Sequence, residues 1–573
     1  MRPAIFRALR RAACVLAALA ASASPAAADA NIVVVNNNAP GVGFNDPTPA
    51  VPVGGNAGTT VGQQRLLAFQ HAAALWGASL DSPVEIRVLA SFEPLSCTPS
   101  TAVLGSAGSM FIFSGFGSIG SFPGPVLPNV WHHAALADKR AGVELNPGES
   151  DIRARFNSNL GQPSCLAGTT WYYGLDTNQT ADQIDLVTVL LHEFAHGLGF
   201  SQFANLTTGA RIQDQGDVYG AKLLDTSTFK YWNEMSDTER ATSALNARRV
   251  VWDGAGVHAA VPDVLALGTP ILTVSSPLSI AGIYAVGAAS FGPPLSSSGL
   301  SGTIVRALDG GTSTTDACST VTNAAEVAGR IALVDRGTCT FVVKAQNAQA
   351  AGAIAMIVAD NAAGAPPAGL GGVDPTITIP SVRITLTDGN TIKAQLAAGV
   401  SAVLGLDLSL RSGADHQGRV YVNATNPVQP GSSISHWDPL SFPNQLMEPA
   451  INADLTHSLQ PPHDLTVPLM RDVGWFPDAD NDGLADDHDG CATSDLSPTV
   501  VIGGEDTGVT NVMLGTGCTL ADSLAAAGAD AANHGDFVSA VARLINTWRA
   551  AGLITAAARG QIQNAAAHSS IGD

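Results

Sequence analysis

The sequence predicts an α+β chain built from several domains, and three observations carry that reading. At 573 residues the chain is too long to organise around one hydrophobic core. Its first two hundred or so residues mix helical apolar spacing with strand-like alternation. From about 270 to 410 the texture changes to short apolar strands, Gly- and Ala-rich turns and two helices, the pattern of a compact α/β module.

Composition bounds the function classes. The chain is 46% apolar and 13% charged, with 59 Gly and 33 Pro, which fits a folded, loop-rich protein rather than a disordered one. A formal charge of −20 argues against a nucleic-acid partner, since no basic patch is available to displace counterions from phosphates.

The elements follow in order. Residues 1–30 combine a basic MRPAIFRALRR, an apolar AACVLAALAASA and a small-residue site at Ala28-Asp29-Ala30, and read as a cleaved signal peptide. The apolar run of about 12 residues is short of the roughly 20 that a spanning helix needs, and no later stretch is long and apolar enough to cross a membrane. From Gln63 to Leu80, Leu66, Leu67, Phe69, Ala73 and Trp76 recur at helical spacing. VEIRVLASF (84–92) and IRARFNSN (152–159) alternate as strands, and 182–200 reads as one helix ending at Gly197 or Gly199. A further helix is expected over 237–249. In the α/β module, strands are expected at 331–337, 353–361 and 378–385, with helices at 342–352 and 387–399. Beyond a polar loop, 465–475 reads as a short helix, 478–489 as an acidic loop, and the tail carries amphipathic helices at 534–552 and 554–567.

Cys14 leaves with the signal peptide, and the remaining six cysteines fall in three local couples: Cys97 with Cys165, Cys318 with Cys339, Cys491 with Cys518. An even count in an exported chain reads as disulfides, and neighbour pairing keeps each bridge inside one proposed domain.

The chemistry concentrates in HEFAHGLGF (192–200). His192 and His196, i and i+4 on one helix, present two imidazoles to one face, with Glu193 beside them; this is the H-E-x-x-H spacing of zinc peptidases. In the extended pattern the third ligand would be a histidine six residues after the second, where this chain has Gln202, a poor zinc ligand. Asp214, Asp217 and His436 remain as candidates, with His436 eleven residues before Met447 in a Pro- and Ser-rich loop favoured.

HEFAHGLGF, a long insertion, then SHW (435–437) and QLMEP (445–449) resemble the leishmanolysin branch of the metzincin peptidases. The resemblance implies zinc held by His192, His196 and His436, Glu193 as general base, and Met447 in the turn that follows the third ligand. It also implies a metzincin-like body split by an insertion, since 239 residues separate His196 from His436; a connection of that length is thermodynamically tolerable. The stretch from about 315 to 400, including GRIALVDRGTCTFVVKAQNAQAAGAIAMIVADN (329–361), resembles a protease-associated (PA) domain, a non-catalytic module. Asp335 and Arg336 within it read as a turn at a strand end.

In DADNDGLADDHD (478–489), Asp478, Asp480, Asp482, Asp486 and Asp489 fall at calcium-loop positions, with Gly483 at the sharp turn and Leu484 offering its carbonyl. With Asp where an EF-hand prefers Glu and Cys491 following, the loop resembles a thrombospondin type 3 repeat.

The expected organisation is a signal peptide (1–30), the two parts of the zinc peptidase body (31–265 and 426–476), an inserted PA domain (266–425), a calcium-type acidic region (477–518) and a helical cap (519–573). The function expected from it is a secreted zinc endopeptidase with one catalytic zinc and a structural calcium, acting on proteins or peptides. The alternative is a catalytically inactive secreted binding or adhesion protein that uses the PA domain and the calcium loop.

Overall fold

The computed structural model describes residues 29–572 apart from 116–129, 365, 453, 479, 481–484, 487–488, 492 and 515. The signal-peptide expectation therefore lies almost wholly outside the described residues, as do Asp482 and Leu484 of the acidic loop.

The first body is a four-stranded sheet with helices packed on it. Strands β1 (Ile32–Asn36), β2 (Ile86–Glu93), β3 (Gly105–Ser109) and β4 (Ile152–Asn157) lie in the order β1-β2-β4-β3. The first three positions pair parallel, and β3 closes the sheet antiparallel to β4, with Ala107 opposite Ala154. Helix α1 (Val61–Gly77) starts at Thr60, whose side chain accepts the Gln63 N–H, and buries Ala68, Phe69, Ala72, Ala73 and Trp76. Trp76 Nε1 donates to the Leu191 carbonyl at 3.1 Å, fixing α1 against the motif helix. Helix α2 (Ala134–Ala141) and motif helix α3 (Leu186–Leu198) complete this body. Asp185 caps α3 by accepting the Val187 and Thr188 N–H groups, and Gly199, at φ 147°, ends it. At Gly197 a Cβ would lie 2.5 Å from Ile152, so only glycine lets α3 approach β4 this closely.

The chain leaves this body after a helix at Ala255–Val264 and returns at Val420–Tyr421, which pairs antiparallel with Val250–Trp252. One apolar core accordingly draws on residues from Ala30 to Leu265 and again from Ala414 to Trp475. The return is fastened by buried polar contacts. Asp472 accepts from Trp252 Nε1 at 2.7 Å and from the Gly256 N–H at 2.6 Å; Trp475 Nε1 donates to Leu198 O at 2.8 Å; Tyr219 donates to Ile434 O at 3.0 Å.

Between these segments stands a mixed eight-stranded sheet spanning Leu267–Arg411, with separate apolar cores on its two faces. Its strands Ile331–Asp335, Ala355–Ala359 and Ser381–Ile384 run parallel, as a strand–helix–strand order requires. Asp335 sits at a strand end and pairs with Arg306 and Lys393, so it is structural. A last core joins a two-stranded ribbon at Thr499–Thr510 to three helices, Leu520–Asp530, His534–Ala550 and Ala556–His568. The structure is thus an α/β protein with mixed sheets. The helix expected over 237–249 stops at Ser243, because Asn246 turns inward to donate to the Asp225 carboxylate and Arg248 takes φ 56°. The three disulfides pair as expected: Cys97–Cys165, Cys318–Cys339 and Cys491–Cys518. They suit an oxidising, secretory compartment. No described helix is long and apolar enough to cross a membrane.

Candidate metal centre

Three histidines from two distant segments meet at the end of α3. His192 and His196 lie one turn apart on that helix, and His436 comes from the returning loop; one ring nitrogen of each lies within 4.8 Å of the others. Every Nδ1 is tied to a backbone carbonyl: His192 to Leu446 O at 2.7 Å, His196 to Phe200 O at 2.8 Å, His436 to Ser432 O at 2.8 Å. A ring that donates from Nδ1 carries its lone pair on Nε2. The Nε2 atoms of His192 and His436 are 3.2 Å apart, so two lone pairs face each other with no proton between them. Burial keeps the rings neutral, lowering His192 to about 3 and His196 to about 4. His436 is driven well down by burial and by the two neighbouring imidazoles. Neutral imidazoles, oriented through Nδ1 with Nε2 converging, are the donor set that zinc takes. The residues present fit the metal.

Asp464 steadies one of these supports by accepting the Leu446 N–H at 2.7 Å, one atom pair away from the carbonyl that holds His192. Met447 is fully buried, and its carbonyl accepts the Trp437 N–H at 2.8 Å, so its turn is stitched beside His436. Glu193 is 9% exposed and points to β3, where the Ala107 N–H donates to Oε2 at 2.9 Å. Burial lifts its carboxyl to about 7, against the opposing pull of that hydrogen bond.

The other candidates lie apart from the cluster. Asp214 is exposed, and Asp217 is buried but spends its carboxylate on the Phe203 and Gly220 N–H groups. His133 bonds Ser201 Oγ at 2.8 Å, and His457 bonds the α3 cap Asp185 at 2.6 Å; both brace the helix from outside. In the acidic loop, Asp489 Oδ1 accepts the Cys491 N–H and Asp480 accepts the Ser494 N–H. Among the described residues Asp478, Asp480, Asp486 and Asp489 do not gather into a three-donor group. The Ala107 N–H and the Leu446 carbonyl escape sequence reading because any residue type supplies a backbone group.

The comparisons with known proteins bear mainly on the inserted sheet. Residues 300–392 match the PA domain family. The chain carries a PA domain. Vacuolar-sorting receptor 2 of Arabidopsis thaliana is 35% identical over 151 residues, 24% of this chain and 24% of the receptor. Among solved structures, an aminopeptidase from Aneurinibacillus sp. strain AM-1 is 24% identical with a TM-score of 0.20, covering 25% of this chain and 31% of that one. BSAP, a zinc aminopeptidase from Bacillus subtilis, is 27% identical with a TM-score of 0.19, covering 27% of this chain and 35% of that one. The chain therefore spans about a third or less of the length of these relatives.

These findings correct the expected family. The family model that matches covers the PA domain alone, the peptidases found beside it range from an aminopeptidase and a zinc aminopeptidase to a subtilisin-like protease, and the assignment to the leishmanolysin-type metzincins is withdrawn. The physical reason is that H-E-x-x-H with a later His and Met specifies the donor chemistry of a site, whereas a family is defined by the fold that presents it. TM-scores of 0.19 and 0.20 do not carry the aminopeptidase fold over to the histidine-bearing body either. What stands is the coarser description: an α/β chain with a PA domain and a three-histidine centre suited to zinc.

Proposed function

We propose that this chain is a secreted zinc-dependent hydrolase of peptide bonds, acting on proteins or peptides. The observation that supports it is the convergence of three buried, neutral imidazoles at the helix that also carries Glu193, the residue next to His192. His192, His196 and His436 would hold one zinc ion. When bound, zinc supplies a Lewis acid and lowers the pKa of water toward about 7.

The chain's own residues do the rest. The Ala107 N–H orients Glu193 through Oε2, leaving Oε1 to take the proton of an attacking water and return it to the leaving amine. A carboxyl lifted to about 7 is matched to that exchange near neutral pH. Strand β3 is the edge of its sheet and runs past Glu193. An extended chain laid along that edge continues beyond the site in both directions, which favours interior bonds. We assign the peptidase body to 31–265 and 426–476. The PA insert (266–425), the acidic region (477–518, with Asp478, Asp480, Asp482, Leu484, Asp486 and Asp489 as calcium ligands) and the cap (519–573) are accessory.

The test is digestion of an unfolded protein by the purified chain, with products read by mass spectrometry. Internal fragments are expected, lost after chelation and restored by zinc. Because the base works ionised, activity should fall as pH drops through an apparent pKa at or below about 7, since bound zinc lowers the Glu193 value. Release of single N-terminal residues would replace the interior-bond reading with an aminopeptidase one. Hydrolysis indifferent to chelation would sink the zinc mechanism.

A further inference from the structure

A second group of donors closes between α2 and β4, away from the histidines. Asp138 lies on α2, Glu144 in the loop that follows, and Asp151 just before β4; one carboxylate oxygen of each lies within 4.8 Å of the others. Asp138 and Asp151 are 2% and 3% exposed, and Glu144 is half-buried. Each carboxylate has one oxygen held by a backbone N–H: Asp138 by Leu145 at 2.8 Å, Glu144 by Asn146 at 2.9 Å, Asp151 by Arg87 at 2.7 Å.

The independent pointer to a ligand is the other oxygen of Asp138. Asp138 Oδ2 is buried and no donor reaches it. The side chain within hydrogen-bond reach of Asp138 is another carboxylate, Asp151. Two carboxylates meet stably only through a shared proton or a cation. Among the described residues no ion pair is made to Asp138, Glu144 or Asp151: the Arg87 guanidinium, which acts on Asp151 by its charge, lies 3.5 Å from Glu85, and Lys139 lies 3.7 Å from Asp81. Burial holds the carboxyls of Asp138 and Asp151 above their ordinary range, and the Arg87 charge offsets this only in part at Asp151.

We propose that Asp138, Glu144 and Asp151 form a calcium site that clasps the end of α2 to the start of β4. Hard carboxylate oxygens and the absence of nitrogen or sulfur donors from the group select calcium over zinc. The clasp bears on the histidine centre from two sides. Helix α2 packs against α3, and β4 pairs with β3, whose Ala107 N–H holds Glu193.

The test is calcium titration of the zinc-loaded full chain by calorimetry, together with the calcium-induced rise in Tm. It is run in an Asp480→Asn background, so that the acidic loop at 478–489 is not counted. Asp138→Asn, close to isosteric, should bind one calcium fewer and lose most of the remaining rise in Tm. Glu144→Gln, at the half-exposed ligand, should keep the site but weaken it about 10-fold, because affinity follows the charge count of the ligands. If Asp138→Asn does not fold, Glu144→Gln decides alone. Unchanged calcium number and affinity in the variants would overturn the proposal. So would a metal-free Asp138→Asn protein that is more stable than its parent in a background indifferent to calcium, since that would show a proton shared by two carboxyls.

Discussion

Replacing Glu193 by Gln is expected to lower peptide hydrolysis by about 10² to 10⁴, the contribution of a positioned general base, while leaving zinc bound and the fold intact. The side chain keeps its shape, and the Gln carbonyl can still accept the Ala107 N–H that now reaches the Glu193 carboxylate at 2.9 Å. What disappears is the capacity to take a proton. Since that proton moves only as the bond breaks, kcat and kcat/KM should fall together with KM unmoved. Stability should not suffer. A buried acid whose pKa is raised to about 7 is disfavoured in its charged form, so its contribution to stability declines as pH rises from about 4.5 through 7. A neutral amide removes that dependence. Steady-state kinetics with metal analysis of the same sample checks the result; hydrolysis at the parent rate would remove Glu193 from the mechanism.

The parts of this centre were unequally legible in the sequence. His192, Glu193 and His196 are readable because one helical turn carries all three, and the helix is marked by its own apolar run and by Gly199 at its end. His436 is readable only as a candidate, because nothing local says that the chain returns to the same point after 239 intervening residues. The return rests on Trp252 with Asp472 and on Trp475 with Leu198, pairs without a sequence period. Supports that are backbone groups, such as Leu446 O and the Ala107 N–H, leave no trace in residue identity. The Asp138, Glu144 and Asp151 cluster is hidden for a related reason: its members sit on a helix, a loop and a strand boundary, so they share no face until the tertiary fold assembles. The PA domain is legible throughout, since its strand–helix–strand rhythm is local. The family of the remainder was misjudged, because a few donor residues were asked to identify a whole fold.

His436→Ala is expected to lose zinc on dialysis against a weak chelator, and all zinc-dependent hydrolysis with it. Two imidazoles on one helix turn remain, but the third donor and the closure it provides are gone. The loss of affinity should exceed the roughly 10- to 100-fold that follows from removing an outer hydrogen-bond partner of a ligand. The protein should still fold. The contacts that bring the returning segment home, Asp472 to Trp252 and Gly256 and Tyr219 to Ile434, do not involve the metal. What changes is the response to zinc. At a zinc concentration about 1,000-fold above its Kd, binding adds about 4 kcal/mol to the parent, which corresponds to about 10 °C in the unfolding temperature of a body of this size. The variant should show none of that rise and should melt where the metal-free parent melts. The comparison isolates the ligand from the fold: a variant that melts well below the metal-free parent has lost packing rather than zinc. One that retains a full equivalent of zinc would move the third ligand to another residue, with buried Asp217 the first to replace.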